Sequence, residues 1–170
     1  MYKRMTICII FFVLSLSICN ASISNVGKAT NEEKLVIQQA IKVNSSIYGN
    51  ASALAWREFH DDFNYSSNIL NDYVKKNITR TQAMMTTVSL YSLTTQTALS
   101  INSVTPPQKY SKYHNYTLGT VNNFRMYLFY LSKFLETNDP SYAVNARSYF
   151  NTTLNQQDLA SQERILHLMI

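Results

Sequence analysis

Glu58, His60, Asp61 and Asp62 form the densest group of ionisable side chains in a 170-residue chain that has three histidines. On a helix Glu58 shares a face with Asp61 and Asp62, at spacings of three and four, while His60 points away from them. A metal ion held there needs a ligand from another helix. His114 is the partner to consider, because it falls on an apolar stripe. A site of His60, Asp61 and His114 would supply imidazole and oxygen ligands inside a bundle, where such sites are normally built. The bundle di-iron motif Glu-x-x-His and the zinc motif His-Glu-x-x-His are both absent. The metal-binding bundle is therefore the alternative. The favoured expectation is a solvated helix face for the cluster and a partly buried, hydrogen-bonded role for His114. Glu163 and His167, four residues apart, read as a surface pair near a helix end.

Other chemistries find less to work with. Three glycines exclude Gly-rich phosphate loops and dinucleotide fingerprints, and no Gly-x-Ser-x-Gly elbow exists for a serine nucleophile. The two cysteines, Cys8 and Cys19, lie in an N-terminal segment expected to be removed. Without them the mature chain has no thiolate, no Cys-bound zinc, no iron–sulfur cluster and no disulfide. No catalytic residue is assigned, no cofactor is expected, and the chain is read as not an enzyme.

The tyrosines are the remaining signal, 12 in number. Tyr113, Tyr116, Tyr127 and Tyr130 lie along one stripe of a single helix. Tyr joins a flat apolar body to a polar tip, which suits a partner surface or a stacked sugar. They are the candidate binding face, for an envelope component or a protein partner. The competing use is to fill a wide core.

Residues 1–21 carry Lys3 and Arg4 ahead of an uncharged, largely apolar run from Met5 to Cys19. That run is short of the roughly 20 residues a membrane span needs and fits a signal-peptide core. Cys19-Asn20-Ala21 places small residues for a cut before Ser22. An uncleaved anchor, the only membrane contact expected, and lipidation at Cys19 are the other fates of this segment. The protein is thus expected to be exported, either secreted or membrane-associated. Net charge is +5 overall and +3 without Lys3 and Arg4, too mild for nucleic acid. Asn44, Asn50, Asn64, Asn77, Asn115 and Asn151 each open an Asn-x-Ser/Thr triplet, the acceptor pattern of an N-linked glycoprotein. With 16 Asn and 30 Ser or Thr over 149 mature positions, about three triplets would arise by chance.

Helices must position these residues. After a flexible lead over 22–30, Asn31 and two acids open a first helix, with Val36, Ala40, Val43 and Ile47 inward and a stop at Gly49. A second helix from about Ala51 carries the seam Trp56, Phe59, Phe63, Ser66, Leu70 and Tyr73. The third starts near Asn77-Ile78-Thr79, with a softer seam of Met84, Val88, Tyr91, Thr95 and Ala98. Pro106-Pro107 ends that stretch and places Pro107 at the start of the fourth. Tyr110, His114, Thr117, Val121, Phe124, Leu128, Leu131 and Leu135 form its unbroken seam. Asp139 and Pro140 cap a fifth helix with Ala143, Ala146, Phe150, Leu154 and Ile165 inward. No stretch reads as a strand, and short connections predict antiparallel neighbours. The fold class is all-α: a single up-and-down bundle of four to five helices over residues 31–168.

Pro107, Tyr110 and His114, then a helix to Leu135, the Asn138-Asp139 break and the Ala143/Ala146 helix form a recurring order of features. Over about residues 105–166 this resembles uncharacterised exported helical-bundle domains of archaea and bacteria. The resemblance implies a secreted or membrane-associated bundle and brings no catalytic residues. Together with the composition it points to an extracytoplasmic, non-enzymatic binding or cell-envelope module.

Overall fold

The computed structural model describes the backbone of residues 31–168, with side chains over 45–166. The expected signal peptide, the lead over 22–30 and the side chains of Val36, Ala40, Val43, Asn44 and His167 lie outside the described residues. The chain divides into two units, 1–43 and 44–170, and of the first the helical backbone from residue 31 is described. Among the described residues there are four α-helices: α1 (Asn31–Val74), α2 (Arg80–Asn102), α3 (Ser111–Thr137) and α4 (Pro140–Leu168). A 3₁₀ turn over Gln108–Tyr110 precedes α3, and no strand occurs among the described residues.

One expected boundary is wrong. Gly49 does not end a helix, because α1 runs through it. Glycine lowers helix stability by about 1 kcal/mol but clashes with nothing, and the flanking Tyr48 and Ala55 are held by packing. The true end lies at Val74. Lys76 adopts φ 61°, Lys76 N–H donates to the Tyr73 carbonyl (3.0 Å), and Asn77 N–H donates to that of Asp72 (2.8 Å). This closes the last turn in the Schellman manner. Thr79 and Gln82 then form a capping box that starts α2. The prolines place the next break as expected, although α3 proper starts at Ser111, one 3₁₀ turn after Pro107. Asn138, at φ 64°, ends α3, and Asp139 accepts from Ser141 N–H (2.9 Å) to cap α4.

Helices 44–74, α2, α3 and α4 alternate in direction. Thr94 and Thr97 of α2 bond to Asp62 and Glu58 of α1, so the register falls on one helix as it rises on the other. Arg80, at the start of α2, donates Nε and Nη2 to the Leu135 and Phe134 carbonyls at the end of α3. Lys112 near the start of α3 lies 4.0 Å from Glu163 near the end of α4. The α1 and α3 helices run parallel across the diagonal, where Phe59 meets Phe124 at 5.4 Å edge to face and Tyr48 meets His114 at 5.8 Å. This is the up-and-down bundle that short loops impose.

The α3 seam is buried as its periodicity predicts, from His114 to Leu135. The α2 seam is displaced by one residue. Ala83, Thr87, Leu90, Thr94, Thr97 and Ile101 face inward together with the expected Ala98, while Met84, Tyr91 and Thr95 are half-buried and Val88 is exposed. Threonine fills the interior because its hydroxyl is satisfied locally or by α1. Thr87 donates to the Ala83 carbonyl (2.8 Å), and Thr94 and Thr97 reach the α1 carboxylates. In α4 Leu154 and Ile165 face solvent. Ala146, Thr153 and Ala160, seven residues apart, are the buried positions, and Phe150 packs on the core as expected.

Candidate functional site

The four-residue cluster on α1 splits between two surroundings. Glu58 and Asp62 lean to α2, where Thr97 Oγ1 donates to Glu58 (3.0 Å) and Thr94 Oγ1 donates to Asp62 (2.8 Å). Burial raises the Asp62 carboxyl above the usual carboxylate range, against the lowering effect of the Thr94 bond. Asp62, half-buried, is thus a partner of the threonine core, whereas Glu58 keeps its bond to Thr97 while exposed, as a solvated helix face predicts. His60 and Asp61 are exposed.

Two cavities flank the parallel contact between α1 and α3. One, of about 170 Å³, opens toward α2 and is lined by Tyr48, Ser52 and Glu58 of α1, Ser100 and Ile101 of α2, and His114 and Thr117 of α3, with Leu54 and Ala55 among the apolar remainder. The other, of about 140 Å³, opens toward α4 and is lined by Trp56, Arg57, His60, Tyr113, Gln157, Ser161 and Arg164 around the fully buried Ala160. Ser52 donates to the Tyr113 hydroxyl (3.0 Å), a bond joining one wall to the other.

This partition keeps apart the ligands of the alternative metal site. His60 lines the α4-side cavity and His114 the α2-side cavity, with the α1–α3 contact between them. Among the described residues no three His, Cys, Asp or Glu side chains could hold a metal ion. His114 is buried, and burial lowers its imidazole pKa below the ordinary value. Its ring lies against Tyr48, which in turn stacks on Tyr110 at 5.6 Å. The Tyr48 hydroxyl is held well above its ordinary pKa by burial and by the neighbouring Tyr113 and Tyr110 phenols, so it stays protonated as a donor.

The tyrosine stripe is likewise corrected. Tyr113 and Tyr127 are buried, and Tyr116 and Tyr130 are half-buried against the core. Tyr127 packs on Phe124 and Phe150, and Tyr130 stacks on Tyr149 at 5.4 Å with Tyr142 beyond. Because α4 presents Ala146, Thr153 and Ala160 at the interface, α3 can supply the bulk, and its second stripe becomes core rather than a free face. Only Tyr113 reaches a cavity.

The acceptor asparagines behave consistently. Asn50, Asn64, Asn77, Asn115 and Asn151 are all exposed. In three triplets the hydroxyl two residues on is buried: Ser66, Thr117 and Thr153 donate to the carbonyls of Phe63, Tyr113 and Tyr149. Two residues span about 200° of helix, so Asn outside and Ser/Thr inside is a packing pattern in its own right. It accounts for the excess over chance without any modification.

Sequence reasoning missed Arg57, Arg164 and Trp56. The guanidinium groups are 107 residues apart in sequence and meet only through antiparallel pairing of α1 with α4. Trp56 Nε1 and Arg125 Nε are buried without a hydrogen-bond partner among the described residues. No helix among the described residues is long and apolar enough to cross a membrane. The fold and site thus define an all-α helical bundle with two small cavities at one end. Compared with family models, curated proteins and solved structures, the chain matches none of them.

Proposed function

We propose that the protein is an exported, non-enzymatic helical bundle of the cell envelope that binds a small ligand in its α2-side cavity. The observation that carries this reading is the cavity itself: about 170 Å³, mostly apolar, with the His114 imidazole, the Tyr48 phenol and the Glu58 carboxylate in its lining. An apolar protein cavity of about 150 Å³ is large enough for benzene. The ligand is accordingly ring-sized, and the carboxylate favours a hydroxyl or an ammonium group over an acid. The signal-like segment and the resemblance to exported bundles support location, and five exposed acceptor asparagines leave room for glycans. No constellation of nucleophile and base supports catalysis.

Protein purified from its own host is expected to begin at Ser22. In the ¹⁵N-labelled chain, benzylamine and phenol should shift the amides of Ser52, Ser100 and His114, and benzoate should shift them least. Retention of residues 1–21 would remove the cleaved signal. No movement of those amides with any of the three probes would remove the ligand site.

A further inference from the structure

The α4-side cavity has the opposite chemistry. Its lining holds donors and cations and no carboxylate. We propose that it is a binding site for a small oxyanion, a carboxylate, phosphate or sulfate group, with Arg57 of α1 and Arg164 of α4 as its two charge partners.

Arg57 and His60 are three residues apart on α1, and Gln157, Ser161 and Arg164 follow at intervals of four and three on α4. Each set therefore shares one helix face, and both faces border the same cavity. Ala160, fully buried, lets the two helices approach without filling the space between their polar side chains. A guanidinium is planar, always charged and matched to oxyanions by paired N–H donors. Neither Arg57 nor Arg164 is ion-paired among the described residues. The nearest acid on α4, Glu163, lies 4.0 Å from Lys112, and Asp61 does not line the cavity. Trp56, which borders the same space, has a buried Nε1–H with no acceptor. Gln157 and the Tyr113 hydroxyl, which accepts from Ser52, add neutral donors, while the Ser161 hydroxyl is already given to the Gln157 carbonyl. This cavity is separate from the ring-sized site, and the failure of either leaves the other standing.

Trp56 is the chain's one tryptophan, so its emission reports this cavity alone. The mature protein is titrated with acetate, phosphate and sulfate at constant ionic strength, with chloride as the balancing anion. A saturable emission change is expected with at least one of the three, its midpoint raised tenfold or more in both Arg57→Gln and Arg164→Gln. Arg147→Gln, an exposed α4 arginine that borders neither cavity, should titrate like the unaltered chain. A response to acetate marks a planar carboxylate site, and one to phosphate or sulfate a tetrahedral site. No saturable change beyond chloride overturns the proposal, as does either cavity variant titrating like the unaltered protein.

Discussion

Along the parallel contact of α1 and α3, the middle of the bundle and its Tyr48 end use the same kind of residue to different effect. In the middle, Phe59, Phe63, Phe124, Tyr127 and Phe150 form a chain of ring contacts between 5.2 and 5.8 Å that leaves Phe124 fully buried. About three turns away, the same diagonal is made by Tyr48, Ser52, Tyr113 and His114, and a cavity remains on each side. Phenylalanine has no polar atom to satisfy, so its ring can be enclosed from every direction. A phenol or an imidazole must keep a direction for its partner, and neighbours cannot close over it without cost. Polar rings at the contact thus set both the cohesion of this end and the room beside it.

The comparison breaks most sharply at Phe124. Phe124→Ala removes a ring that touches α1 directly and lies against Tyr127 on its own helix, and the void cannot collapse without separating the helices. A loss of about 3–5 kcal/mol is expected in urea or thermal unfolding. Because domains of this size are held by about 5–15 kcal/mol, that is a large share of the whole. A loss below 1 kcal/mol would mean that the middle is no better packed than the Tyr48 end. Gly49→Ala should act with the opposite sign and smaller size. Gly49 is exposed inside α1, has ordinary φ, and an added Cβ meets nothing within 4 Å. A gain of about 1 kcal/mol in the same melts is expected, with both ligand titrations unchanged. A destabilised variant would show that the helix breaks there after all.

What could be read in the sequence follows the same division. The α3 seam was legible because the inward positions from Val121 to Leu135, Ser132 apart, are apolar and most of them large. The loops were legible through Pro106-Pro107 and Asp139-Pro140. The inner face of α2 was legible only in part, at Ala98, because Thr87, Thr94 and Thr97 hide an interior role behind a polar side chain and shift the buried line one residue from the apolar pattern. Gly49 misled because a glycine in a helix interior and one at a helix end are the same letter, and only packing distinguishes them. At the candidate site, His114 stood out from its place on an apolar stripe. Its cavity did not, since Ser100 and Glu58 reach it only through the antiparallel register of α1 and α2. The tyrosine stripe was seen correctly as a stripe. Its burial depended on the small residues of α4 opposite, which no local pattern on α3 encodes.

The finest test of the contrast is the pH dependence of stability, where the Tyr48 end should respond through His114 near neutrality and the middle only through Asp62 at lower pH. His114 is buried against Tyr48, and burial favours its neutral form, so its folded pKa lies below that of the unfolded chain. On acidification the unfolded chain takes up the proton first. The stabilising effect is full above the ordinary histidine value of about 6.5 and is lost as pH falls through that value toward the lower folded one. Asp62 has the opposite sign. Its folded carboxyl is raised, so its protonation on acidification stabilises the fold, in the lower window that begins above the ordinary carboxylate range. Urea midpoints taken from pH 7.5 to 5.5 should therefore decline in the unaltered protein and flatten in His114→Gln. Asp62→Asn should leave that decline in place and remove the recovery at lower pH, since an asparagine carbonyl still accepts from Thr94. If His114→Gln keeps the full decline, the imidazole is as well solvated in the fold as in the unfolded chain, and the cavity beside it is open water rather than a site with an apolar wall.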